Sequence, residues 1–148
     1  MKKSEPRILS GFLQDITYTN IGVQSNPYKE LIERYVLMNS LVMQNAPLHI
    51  AVHFIKDIET PPSPYAHVHC HPAADEIGLI IAPKDELEYE ILLDGEATRV
   101  KSPAAVYIPA GTSHRARAIS GSGAYVCIIL DPQGPLADNI TIHGSLNG

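Results

Sequence analysis

Along much of this chain apolar and polar residues alternate with a period of two, as in Leu87-Glu-Tyr-Glu-Ile-Leu-Leu93. That is the signature of β-strands with one face buried. Leu48 to Asp57 alternates more loosely, while Ala104-Ala-Val-Tyr-Ile108 and Ala124-Tyr-Val-Cys-Ile-Ile-Leu130 are nearly unbroken apolar runs. Further strands are predicted over Tyr35–Met43, through the histidine-rich stretch near residue 69, over Glu76–Ile81, from Glu96 to Val100 and from His114 to Ile119. Asp94-Gly95 reads as a two-residue hairpin turn. Ser120-Gly-Ser-Gly123 reads as another turn, and Glu59-Thr-Pro-Pro-Ser-Pro64 as a rigid connector. Residues 1–25 read as a short arm or edge strand. Pro27 at a first helical position predicts one or two helical turns over 25–34. From Asp131 onward the chain reads as loop. Many short strands between turns predict an all-β sandwich or closed barrel.

Composition narrows this little. At 148 residues with 45% hydrophobic content, the chain is one ordinary domain able to bury a core. Its parts are read as an N-terminal arm with edge strands over 1–44, a barrel core over 45–131 and a C-terminal tail over 132–148. A net charge of −5 argues against a nucleic-acid surface. No apolar run approaches the ~20 residues of a membrane span, and no signal peptide is evident behind Lys2 and Lys3. The expected location is therefore the cytoplasm, which suits two unpaired cysteines, Cys70 and Cys127, read as small buried side chains.

The chemistry concentrates in His67-Val-His-Cys-His-Pro-Ala-Ala-Asp-Glu76 and in Pro109-Ala-Gly-Thr-Ser-His114. On a strand, His67, His69 and His71 project from one face at ~6.6 Å intervals, while Val68 and Cys70 take the other. His69, His71, Glu76 and His114 read as four ligands of one metal ion. A mixed imidazole and carboxylate set suits Fe, Mn, Ni, Co or Zn and disfavours Ca and Mg. It would leave positions open for chemistry. Burying three imidazoles and an acid without an ion would require a complete hydrogen-bond network instead. Asp75 should face away. His67 can replace His71 as a ligand, shuttle protons or line the barrel mouth. His53 is a candidate for the pocket wall, His49 an ordinary surface or core histidine, and His143 a bystander. Tyr107 is read as packing or interface, Arg115 and Arg117 as pointing away from the metal, and Arg99 and Lys101 as solvated.

Two of these segments resemble the paired motifs of the cupin superfamily. His69-Cys-His71-Pro-Ala-Ala-Asp-Glu76 is similar to the first, HxH(x)4E, and Pro109-Ala-Gly111-Thr-Ser-His114 to the second, PxG(x)2H. The likeness spans about residues 45–130. It departs from the pattern at Pro83, Pro103 and Ala118, which are turn and packing positions. The resemblance implies a jelly-roll β-barrel, or double-stranded β-helix, with a metal near its centre. It implies no particular reaction, because this fold hosts many.

The functional expectation is a small metal-dependent enzyme acting on a compact organic substrate. It would hold one divalent transition metal ion per chain, Fe, Zn, Mn or Ni, and be either an oxygenase or an isomerase, lyase or cyclase. Glu76 would be a fourth ligand or a base released when substrate binds, with His67 and His53 as candidates for proton transfer. The alternatives are a non-catalytic metal-containing binding or sensor protein, and a purely structural ion. The expected partners are a small-molecule ligand and a second copy of the chain in a homodimer that covers apolar edge strands, with neither nucleic acid nor membrane.

Overall fold

A computed structural model of the chain describes residues 5–13, 30–40, 42–130 and 141–143. The described residues form ten strands: β1 (Phe12–Leu13), β2 (Ile32–Met38), β3 (Leu48–Ile58), β4 (Val68–Cys70), β5 (Glu76–Ile81), β6 (Leu87–Leu93), β7 (Glu96–Lys101), β8 (Ala104–Ile108), β9 (His114–Leu130) and β10 (Thr141–His143). Every pairing is antiparallel. The architecture is all-β, as the strand pattern predicts, and a jelly-roll barrel, as the resemblance implies; no described helix is long and apolar enough to cross a membrane.

The 17-residue strand β9 organises the whole. Its C-terminal half lies between β3 and β5, pairing Val126 with both Val52 and Leu79. Its N-terminal half pairs with β6, from His114 opposite Leu93 to Gly121 opposite Leu87, and touches β4 at one point. β1 and β2 extend the first sheet beyond β3, and β8 extends it beyond β5. β7 extends the second sheet beyond β6 through the Asp94-Gly95 hairpin, where both residues have positive φ.

The expected turn at Ser120–Gly123 is instead the corner where β9 passes from one sheet to the other. Gly121 and Gly123 have φ of 88° and 151°, and a Cβ on Gly121 would overlap the Glu86 carbonyl. Glycine therefore lets one continuous strand bend here, with its pairing to β3 and β6 shifting register around the bend.

Three other expectations change. Of the helical turns read over 25–34, residues 25–29 lie outside the described residues, and Ile32 to Arg34 open a strand. In β2, Ile32, Arg34 and Val36 are buried and alternate with partly exposed neighbours. Pairing with β3 over its length overrides weak local helix preference. The strand ends at Met38, short of the expected Met43. In the tail, Thr141–His143 pairs with Val68–Cys70 and covers an edge of β4 that would otherwise be exposed.

The two sheets share one core. Ile32, Ile55, Ile80, Leu87, Tyr89, Ile91 and Tyr125 form a single buried cluster. Within it Tyr89 and Tyr125 stack with centroids 4.5 Å apart, worth ~1 kcal/mol beyond the area they bury. A Cβ on Gly78 would collide with the Tyr125 hydroxyl, so the glycine in β5 makes room for that ring.

Candidate metal centre

Registry brings the two histidine motifs together. β4 and β9 meet at one residue pair, His69 opposite His114, which places both side chains on one face of neighbouring strands. Their ring centroids are 4.3 Å apart, and His71, just beyond β4, lies 5.2 Å from His69 and 5.5 Å from His114. The ligand atoms of the three imidazoles all fall within 4.8 Å of one another.

Main-chain contacts hold this convergence. Gly111 N–H donates to the His71 carbonyl at 2.9 Å, docking the Pro109–Gly111 turn onto the first motif. Asp75 faces away from the histidines, and its carboxylate accepts from Ala110 N–H at 2.8 Å and from the Tyr107 hydroxyl at 2.7 Å. Those hydrogen bonds hold its pKa below the ordinary carboxylate value. Ser113 N–H donates to the Asp94 carboxylate at 3.0 Å and fixes the approach to His114.

The ring nitrogens are set for ligation. His69 Nδ1 lies 2.8 Å from the His67 carbonyl, and His114 Nδ1 lies 2.9 Å from the Thr112 carbonyl. Because a carbonyl only accepts, each Nδ1 carries the proton and each Nε2 keeps its lone pair. This is how metal-binding imidazoles are usually oriented. His114 Nε2 is buried and makes no aligned hydrogen bond, although Glu76 Oε2 sits 2.8 Å away. Glu76 Oε1 lies 3.7 Å from His71 Nε2 and accepts from the Cys127 thiol at 3.1 Å. A buried acceptor nitrogen beside a carboxylate is a poor neutral contact and a sound pair of donors to a cation. The residues present fit a divalent transition metal.

The electrostatics separate His69 from His114. Burial lowers the pKa of His69 to about 4, with the neighbouring His114 adding to the effect, so its ring is neutral. Burial opposes charge on both Glu76 and His114, but their mutual attraction overcomes it. Glu76 falls to about 2 and His114 rises above the ordinary imidazole value.

Above the histidines is a cavity of about 80 Å³, lined also by Arg34, His49, His53, Tyr65, Tyr125 and Cys127. His53 therefore faces the pocket, as its position on β3 allowed. His49 does too, which corrects its reading as an ordinary histidine. Residues 49, 51 and 53 share one face of β3, and the barrel interior begins higher along that strand than the motifs suggest. His49 is almost fully buried, 3.4 Å from both Arg34 and Asn39. His67 is not among the lining residues. Its carbonyl anchors His69, and its own Nδ1 is buried without a hydrogen-bond partner among the described residues. Cys70 is buried away from the cavity, Arg117 bonds Glu90 and the Pro62 carbonyl, and Tyr107 is exposed. The side chain of His143 lies outside the description.

The residue that sequence reasoning missed is Arg34. It belongs to β2, in the stretch assigned to an N-terminal arm, yet it is 2% exposed and faces the cavity. The signal was a cation at the inward parity of an apolar strand, which is visible once Ile32–Met38 is read as β.

The fold matches solved structures across most of the chain. KdgF from Halomonas sp. aligns with TM-score 0.55 at 17% identity, covering 88% of this chain and 97% of that one. A cupin-2 domain protein from Rhodospirillum rubrum aligns with TM-score 0.57 at 13% identity, covering 99% and 84%. This chain has the cupin fold. Pac13 from Streptomyces, described as a nucleoside dehydratase, aligns with TM-score 0.56 at 8% identity, covering 96% of this chain and 92% of Pac13. No family model and no curated protein matches this chain by sequence. Identities this low carry the architecture and nothing finer, so its chemistry has to be argued from its own side chains.

Proposed function

We propose that this cupin is a metal-dependent enzyme of the isomerase or lyase type, acting on a small organic substrate. The observation that carries the proposal is the convergence of His69, His71 and His114, with the Nδ1 protons of His69 and His114 tied to carbonyls, beside the Glu76 carboxylate and beneath a cavity. Those four residues would hold one divalent ion of the Fe, Mn, Ni or Zn group. Bound there, such an ion supplies a Lewis acid for a carbonyl or enediol oxygen.

The protein groups around the cavity favour proton transfer. Burial, with Arg34 adding to it, lowers the pKa of His53 to about 3, so its imidazole meets a substrate in the neutral form. Burial raises the pKa of Tyr125 well above the ordinary phenol value, so its hydroxyl stays a donor at neutral pH. His53 and Tyr125 hold paired positions on β3 and β9 with ring centroids 6.2 Å apart, so an imidazole and a phenol stand side by side at the cavity wall, as a 1,2-proton shift or an elimination can use. Glu76 serves as a ligand, and the contact with Cys127 helps keep its orientation. The low-polarity walls, including Ile129 and Ala116, lower the local polarity around the transfer.

Two measurements test this reading. Protein purified without added metal, then equilibrated with single divalent ions and desalted, should retain about one ion per chain by elemental analysis. The loaded protein should exchange α-protons of small 2-oxo acids with deuterium from D2O, followed by NMR, and chelation should abolish the exchange. A chain that retains no ion would end the proposal. Retention with ligand binding but no exchange would make it a binding or sensor protein.

A further inference from the structure

We propose that the outer face of the first sheet is a docking surface for a second copy of this chain. Ladder register lays that face out row by row, because residues paired across strands point to the same side. One row runs through Tyr35, Val52, Val126, Leu79 and Ala105, across β2, β3, β9, β5 and β8 in turn. The next is Ile50, Ile128, Ile77 and Tyr107. Phe54, Ala124 and Ile81 flank these rows on one side, and Leu48 and Leu130 on the other. Every side chain in them is apolar or aromatic.

The opposite parity of the same strands sends His53, Tyr125, Cys127 and Glu76 to the cavity. The sheet thus has a working face and an apolar back. That back is open to solvent where it can be judged most simply: Phe54 is 47%, Ile81 49% and Tyr107 58% exposed. Ile50, Leu79, Val126 and Ile128 are partly exposed as well. Five strands at ~4.8 Å spacing, and six steps of ~3.4 Å from Ala124 to Leu130, give a plan area of ~480 Å². Side-chain relief raises the accessible area above that figure, toward the ~800 Å² per partner of a stable interface. Scattered surface apolar residues need no explanation, whereas a continuous face of this extent marks an interaction site.

Charge and shape select the occupant. Among the described residues the one charge that interrupts the rows is Glu33, opposite Phe54, and it is paired with Lys56. The face therefore offers nothing to choose an acidic or a basic partner. A twisted apolar sheet is matched by another sheet of the same twist, packed face to face. A second copy supplies such a sheet, and a two-fold axis sets identical rows against each other. Ile8, on the arm before β1, is 99% exposed, a further apolar side chain that its own protomer leaves open. The homodimer expected from the sequence then closes over a sheet face rather than over strand edges. It also backs the cavity wall that carries His53 and Glu76.

Sedimentation of the unaltered protein at about 10 μM should give twice the chain mass, since interfaces of this size bind at micromolar concentration or tighter. A mixture of isotope-labelled and unlabelled protein should show intermolecular NOEs to the methyl groups of Ile50, Leu79, Val126 and Ile128. Leu79→Arg and Ile81→Arg should each weaken dimerisation about a hundredfold or more, because the two-fold axis brings like charges into one apolar interface. Thr98→Arg, on the exposed strand β7, should leave it unchanged. A single-chain mass would overturn the proposal and leave the face to another segment or partner. So would a dimer without those NOEs, or one that survives both arginines in the sheet face. The NOE measurement decides the matter even where a variant fails to fold.

Discussion

Single side chains divide here into those that contribute an atom to the site and those that contribute only backbone. His114 contributes Nε2, which is buried and lacks an aligned hydrogen bond, whereas His67 contributes its carbonyl to His69. The two histidines should behave oppositely on truncation. His114→Ala is expected to lower retained metal about tenfold or more, since it removes one of few ligands. His67→Ala is expected to leave metal content near that of the parent, because the carbonyl remains. Elemental analysis of both variants after the same desalting checks this. Equal loss in the two would mean that the His67 ring takes part in ligation. Cys70→Ala belongs with His67 and should alter stability rather than metal content.

Strands and turns carry the next set of constraints, and β9 bears most of them. It serves both sheets because its glycine corner lets it bend, and its first residue is a metal-binding candidate. A side chain at Gly121 must accept φ of 88° and displace the Glu86 backbone at once. Gly121→Val is expected to cost ~3 kcal/mol or more, through both strain and overlap. A chemical denaturation midpoint close to that of the parent would show that the corner tolerates a Cβ by moving. The same corner explains why Ser120–Gly123 resembled a turn in sequence. Glycines at a strand bend and glycines in a hairpin look alike until the pairing partners are known. β2 shows the converse, since its pairing with β3 decided its conformation where local preference was indifferent.

The molecule as a whole buries several histidines in neutral form, and this ties its stability to pH. His49 titrates near 4 because of burial, with Arg34 adding to the shift, and His53 near 3 for the same two reasons. Both folded-state values lie below the unfolded value of 6.5. The unfolded chain therefore binds more protons as pH falls, and stability declines from about pH 6.5 down to about 3. Above pH 6.5 this contribution is complete and flat. Urea midpoints measured for the metal-free protein between pH 8 and 4 should fall through that window, and His53→Gln should fall less steeply. Parallel curves for the two proteins would show that His53 charges as readily when folded as when unfolded.

The spacing of His69, His71, Glu76 and His114 marked a metal-binding chemistry before any coordinates, because ligand type and strand parity are local properties. The alternating pattern marked the β class for the same reason. Local properties could not say that His69 and His114 would face each other across β4 and β9, nor that Arg34 and His49 would share the cavity with them. Those facts depend on which strands pair and in what register, and pairing is set by contacts between residues far apart in the chain. A one-residue slip in β2 would have turned Arg34 outward to water, and nothing in its immediate neighbours forbids that. Burial of a shared core against both sheets forbids it, and such a core exists only once the chain has folded.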